Sequence, residues 1–203
     1  PAPDAPRLDL VEDGLIRLDP AGQIVSVGPA PAGCAVPVTA PGAVWLPGFV
    51  DTHVHQPQTR IIGSGTGPLL DWLAQSVFPE EARLADPAYA AAVTDEFIGA
   101  LIAHGTTTAV VYGSSLPPAA DALFAALADA GLRADVGLTL MDTGCPDPVR
   151  VPDDVAQAAS EALVARWHGH DGGRLRFVVT PRFALSCSRA QMRAAGDLAE
   201  RHG

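Results

Sequence analysis

Pro47-Gly48-Phe49-Val50-Asp51-Thr52-His53-Val54-His55 reads as a short β-strand, Phe49 to His55, opened by a Pro-Gly turn and closing on two histidines. The period of two in a strand predicts Asp51, His53 and His55 on one face, so that both imidazoles can reach a single metal ion. Neutral imidazoles suit Zn²⁺ at ~2.0 to 2.1 Å. Taken alone, a His-x-His pair fits a pair of surface or core histidines equally well, and its surroundings decide between the two.

Ahead of the strand lies a Pro-rich region holding nine of the 19 prolines. Leu15 to Asp19, a Pro20-Ala21-Gly22-Gln23 turn and Ile24 to Gly28 read as strand, turn and strand, with β character continuing at Val36, Val38 and Val44. Behind it, apolar strand-like segments at Thr107 to Tyr112, Ala134 to Met141 and Leu175 to Thr180 alternate with helical stretches. The helices are expected at Leu69 to Ser76, Pro87 to Ala103, Pro117 to Ala130, Asp153 to His168 and Arg189 to His202. Asp86, Ser115 and Ser188 stand as start signals, and Gly105 and Gly131 as stops. Strand-helix alternation predicts parallel βαβ units.

The expected fold class is α/β: the N-terminal part of a (β/α)8 TIM-type barrel, about four βα units, preceded by a small β-sandwich module. Residues 1–45 are assigned to the β module and 46–203 to the barrel. A complete barrel takes ~250 residues, so the chain is expected to stop before the fifth strand. With Pro1 rather than Met at its start, it is expected to come from a longer product. The rival is a complete doubly wound α/β domain; against it, no GxGxxG or P-loop follows a strand, and the β module has no place in it.

Thirteen basic residues against 23 acidic ones leave a net charge of -10, which offers no basic face for nucleic acid or an anionic membrane. All 13 basic residues are arginine, so Schiff-base and P-loop lysine chemistry are excluded from these residues. Three widely spaced cysteines without a CxxC suggest neither a disulfide framework nor a Cys-ligated zinc, and with no signal peptide or membrane span the expected location is the cytoplasm.

The Pro-Gly-Phe-Val-Asp-x-His-x-His stretch after a small β module resembles the amidohydrolase superfamily of metal-dependent hydrolases and deaminases. Three further stretches are similar to the guanine deaminases among them: His53 to Gln58 (HVHQPQ), Leu69 to Glu80 (LLDWLAQSVFPE) and Pro181 to Ser188 (PRFALSCS). Gly105-Thr106-Thr107-Thr108-Ala109 is shared with the wider superfamily. The resemblance implies that His53 and His55 are first-strand ligands of a zinc ion, one per subunit, that Gln58 contacts the purine, and that Arg182 and Phe183 hold its ring. A side-chain amide can donate to and accept from a purine edge, a guanidinium can bond its acceptors, and a phenyl face can pack against it.

Superfamily members with two metals bridge them by a carbamylated lysine after the fourth strand; Thr180, Pro181 and Arg182 stand there in this sequence, so one metal is implied. The family's remaining ligands lie on the fifth, sixth and eighth strands, and its proton-shuttling glutamate follows the fifth, so all are expected beyond residue 203. The implied activity is hydrolysis of guanine to xanthine and ammonia in purine salvage or breakdown, by a full-length homodimer with guanine as its small-molecule partner. The 203-residue chain alone is expected to be inactive. Two alternatives stand beside this: a related deaminase or chlorohydrolase acting on another purine, a pterin or a triazine, and a catalytically silent truncated module. His104, His168, His170 and His202 are expected at the opposite end of the sheet, Asp142 in a turn, and Cys187 as a buried thiol.

Overall fold

The structure, a computed structural model, describes residues 9–35 and 42–202. The chain divides into two compact units, Pro1–Leu46 and Pro47–Gly203. In the first, β1 (Gly14–Leu18) pairs antiparallel with β2 (Ile24–Pro29). The Asp19 carboxylate closes the turn by accepting the backbone N–H groups of Ala21 at 2.9 Å and Gln23 at 2.8 Å, the local bond that makes aspartate a turn residue. Val36 and Val38 lie outside the described residues, and Val44 joins no strand. Among the described residues the unit is this single hairpin.

The second unit runs β3 (Phe49–His55), α1 (Leu69–Trp72), α2 (Phe78–Ala82), α3 (Pro87–Ala103), β4 (Thr106–Tyr112), α4 (Pro117–Ala130), β5 (Arg133–Gly137), β6 (Thr139–Leu140), α5 (Asp153–Trp167), the single turn α6 (His170–Gly173), β7 (Leu175–Phe177), β8 (Thr180–Pro181) and α7 (Arg189–His202). Strands β3, β4, β5 and β7 form one parallel sheet in that order, the α/β arrangement the strand-helix alternation predicts.

The helices lie against the sheet through one core. Val111 of β4 and Ala134 and Val136 of β5 are buried with Phe97 and Leu101 of α3 and Leu123, Phe124 and Leu127 of α4. Phe124 stacks on Trp167 of α5 with centroids 5.6 Å apart, and the Trp167 indole N–H donates to Asp121 at 2.7 Å, so the apolar ring is buried with its polar end satisfied.

The helix ends follow the sequence signals with one exception. Asp86 accepts the Ala88 N–H at 2.9 Å, Ser188 accepts the Gln191 N–H at 3.1 Å, and Gly131 ends α4 in the left-handed region at φ 73°. Ser115 does not cap α4: its hydroxyl donates to the Val149 carbonyl at 2.8 Å, and it is Ser114 whose oxygen accepts the Leu116 N–H at 3.1 Å.

Two expected strands are broken where the chain packs most tightly. Ala134 to Met141 divides into β5 and β6 at Leu138, and Leu175 to Thr180 divides into β7 and β8, with β6 and β8 pairing as a separate parallel ladder. At the break, a Cβ on Gly137 would stand 1.6 Å from the Thr180 hydroxyl and 2.6 Å from the Val178 carbonyl, so only glycine fits. The same logic explains Gly48 in the opening motif, where a Cβ would meet Thr107 Oγ1 at 2.1 Å.

The first expected helix continues past Ser76. A π turn at Leu73–Val77, with the Phe78 N–H reaching back to the Leu73 carbonyl, carries the helical path into α2 and admits Pro79, which has no N–H of its own, near its start.

Candidate functional site

The site begins at the C-terminal end of β3. The ladder with β4 gains one residue between Asp51 and Val54: Asp51 stands opposite Ala109, Val54 opposite Val111 and His55 opposite Tyr112. This bulge resets the alternation, so Asp51 does not share a face with His55 as a regular period of two predicts; its carboxylate instead accepts the His53 backbone N–H at 3.1 Å. The two imidazoles still converge, with ring centroids 5.1 Å apart.

Tyr112 braces both rings. It stacks on His55 at 4.6 Å and meets the edge of His53 at 4.8 Å. The His55 pKa is held down to about 4, chiefly by burial, then by the Arg182 charge and by His53, so its ring is neutral near pH 7, the form that ligates metal. Two imidazoles on one tetrahedral Zn²⁺ at ~2.0 to 2.1 Å have centroids about 5 Å apart, which the pair matches. The spacing of the pair and the neutral His55 ring fit a shared metal ion such as zinc. Among the described residues no third His, Cys, Asp or Glu completes the set.

Directly after His55 a 3-10 turn, Gln56–Ile61, carries Gln58. The turn is fixed to α3 by the buried Gln56 amide, which donates to Thr94 Oγ1 at 3.1 Å, and by the Arg60 to Glu96 ion pair at 2.6 Å. Gln58 Nε2 donates to Glu81 Oε1 at 3.2 Å. From the far side, Arg182 Nη1 donates to Glu81 Oε2 at 2.6 Å, with both side chains 5% exposed. The Arg182 guanidinium also lies 5.3 Å from the centre of the Phe78 ring. Phe183 is half-buried against the apolar group of Leu73, Val77, Phe78, Met141 and Val149. Gln58 and Arg182 therefore meet on one buried carboxylate, and the Arg182 charge reaches His55.

Two residues of the site have no counterpart in the sequence reading. Glu81 lies in α2, beyond the expected end of the first helix, and is buried there. Tyr112 was visible only as the last residue of a strand. The remaining histidines lie away from the pair: His104 and His168 follow the last residues of α3 and α5, His202 ends α7 against Glu161 at 2.7 Å, and His170 packs its ring edge against Trp167. Asp142 lies in a bend after β6 and accepts the Ser188 N–H at 2.7 Å from 46 positions along the chain, and the buried Cys187 thiol donates to the Leu140 carbonyl at 3.1 Å.

Residues 44–203 match the Amidohydrolase family. The chain belongs to that family. A relative described as a probable guanine deaminase from Deinococcus radiodurans is 46% identical over 157 residues, covering 77% of this chain and 35% of that protein. The crystal structure of guanine deaminase from Bradyrhizobium japonicum superposes with a TM-score of 0.85 at 34% identity, over 93% of this chain and 41% of that one. Guanine deaminase from C. acetobutylicum, solved with guanine bound in its active site, superposes with a TM-score of 0.82 at 28% identity, over 95% of this chain and 46% of that one. This amidohydrolase chain thus spans less than half the length of each.

Proposed function

We propose that the full-length protein is a zinc-dependent guanine deaminase that hydrolyses guanine to xanthine and ammonia in purine salvage or breakdown. In this reading residues 1–45 belong to its β module and 46–203 form the first half of its barrel. The observation that carries it is the partly buried Gln58–Glu81–Arg182 cluster beside the paired imidazoles of His53 and His55: a polar ring-binding site next to half a metal site. The relatives named guanine deaminase, one of them solved with guanine bound, support guanine as the substrate.

His53 and His55 would hold the zinc, which supplies Lewis acidity for the activation of water. His55 stays neutral down to acidic pH, which keeps it a ligand across the working range. The Arg182 guanidinium offers donors to the acceptors of the purine ring, Gln58 offers an amide that both donates and accepts, and Phe183 offers an apolar ring face. Held at these points, guanine presents the carbon that bears its amino group to attack with little orientational freedom left to lose. The further metal ligands and the proton-shuttling glutamate come from the part of the protein outside these residues.

The absence of lysine from all 203 residues supports a single zinc per subunit, since no carbamylated lysine bridge can form at Thr180-Pro181-Arg182. The reading includes a homodimer working in the cytoplasm, where the unpaired cysteines Cys34, Cys145 and Cys187 would stay reduced. Among the described residues no helix is long and apolar enough to cross a membrane.

The test offers the purified full-length protein guanine, adenine, a pterin and an aminotriazine. Guanine is consumed with release of one ammonia, and the others react with kcat/KM at least about a hundredfold lower, the scale of discrimination that hydrogen-bonding sites reach. Turnover of another substrate in preference to guanine overturns the reading.

A further inference from the structure

We propose that Glu81 is the positioning residue of the ring-binding site: its carboxylate sets Gln58 and Arg182 in the geometry that receives the substrate. This role rests on the guanine deaminase reading. The three residues come from separate segments, the turn after β3, helix α2 and the residue after β8, with partners 23 and 101 positions apart in the chain. One carboxylate joins all three, giving Oε1 to Gln58 and Oε2 to Arg182.

A carboxylate only accepts, so it commits the nitrogen end of the Gln58 amide toward itself and leaves Oε1 and the second Nε2 hydrogen for a ligand. Both side-chain hydrogen bonds of Arg182 among the described residues run through Nη1, to Glu81 and to Met141 Sδ at 3.6 Å, so its Nη2 and Nε donors remain for a ligand. The charge matters as much as the geometry. The Arg182 side chain is 5% exposed, and Glu81 neutralises it in place, so a neutral purine can enter without having to supply a counter-charge. Glu81 itself is held by its helix: its neighbour Glu80 accepts a bond from the Tyr89 hydroxyl, which fastens α2 to α3, and another from Arg83 Nη1 in the turn that follows α2. With each oxygen already engaged by a side chain, Glu81 acts through its partners and not on the ring.

The test uses the full-length protein with Glu81→Gln, which keeps the shape and removes the charge, and Glu81→Asp, which keeps the charge on a shorter arm. Glu81→Gln raises the KM for guanine roughly ten- to a hundredfold while kcat moves less than about threefold and metal content is unchanged; Glu81→Asp recovers part of the loss. In a double-mutant cycle, Gln58→Ala costs less in the Glu81→Gln background than in the wild type. A wild-type KM in Glu81→Gln, additive effects in the cycle, or loss of metal overturns the role. Should Glu81→Gln fail to fold, the cycle is run with Glu81→Asp, and additivity there overturns it as well. Wild-type protein that does not turn over guanine overturns the functional reading and this role together, whereas wild-type turnover with unmoved variants overturns the role alone.

Discussion

His55 lies with its ring stacked on that of Tyr112, centroids 4.6 Å apart and planes 29° from parallel, and the two residues are direct neighbours across the β3–β4 ladder. One aromatic ring from the second barrel strand therefore fixes the orientation of the histidine pair on the first. Aromatic pairs contribute about 0.5 to 1.5 kcal/mol beyond their buried area, so Tyr112→Leu is expected to weaken zinc retention in the full-length protein roughly two- to tenfold. Tyr112→Phe keeps the stack and holds zinc as the wild type does. Competition against a chelator of known affinity reads both variants, and equal affinities in Tyr112→Leu and the wild type contradict the bracing role.

Arg182→Ala tests the cost of an orphaned charge. It removes a proposed ring contact and also leaves Glu81 buried without its cation. Removing one partner of a buried pair costs about 3 to 5 kcal/mol, so the variant is expected to unfold at markedly lower urea concentration. Adding Glu81→Gln restores part of that stability while guanine turnover stays low. A double variant as unstable as Arg182→Ala contradicts the pairing.

Gly137 and Gly99 make a matched pair of substitutions to alanine. At Gly137 the new Cβ would overlap Thr180 and the Val178 carbonyl, and the expected loss is at least about 1 to 3 kcal/mol. Gly99 lies inside α3 with open space around a Cβ, so Gly99→Ala is expected to gain roughly 0.5 to 1 kcal/mol through helix propensity. Urea titration of both variants measures the contrast, and a stabilised Gly137→Ala contradicts the close approach of β5 to the β7–β8 bend.

Thiol labelling reads the packing around the three cysteines. Cys34 is exposed, Cys187 is buried, and the Cys145 thiol is half-buried, with burial raising its pKa. Iodoacetamide near pH 8 attacks the thiolate, so the expected order of labelling is Cys34, then Cys145, then Cys187. Peptide mapping follows it. Labelling of Cys187 as fast as Cys34 contradicts the packed thiol.

Much of this molecule is legible in its sequence because local rules and tertiary packing agree. Strand β3 has the expected bounds, Phe49 to His55, and α3, α4 and α7 begin and end at the expected residues because Asp86, Pro117 and Ser188 open them and Gly131 closes α4. What was hidden depends on contacts between distant segments. The bulge that turns Asp51 from the His55 face is a register effect of β3 on β4, invisible to periodicity in one strand. The breaks at Leu138 and after Phe177 come from the approach of Gly137 to Thr180, 43 positions away in the chain. Glu81 lies beyond the expected end of the first helix and drew no reading, and only its burial and the partners Gln58 and Arg182 place it in the site.

The most direct test of the central claim, that these residues are the first part of a guanine deaminase with two of its metal ligands, is guanine hydrolysis measured side by side for the 203-residue chain and the full-length protein, with metal content determined on both. A catalytic zinc typically needs three protein ligands, and in the proposed reading these residues supply two, His53 and His55. The account predicts xanthine and about one zinc per subunit from the full-length protein, and neither from the 203-residue chain alone. Xanthine formation by the chain alone, or a full-length protein that leaves guanine untouched, would contradict it.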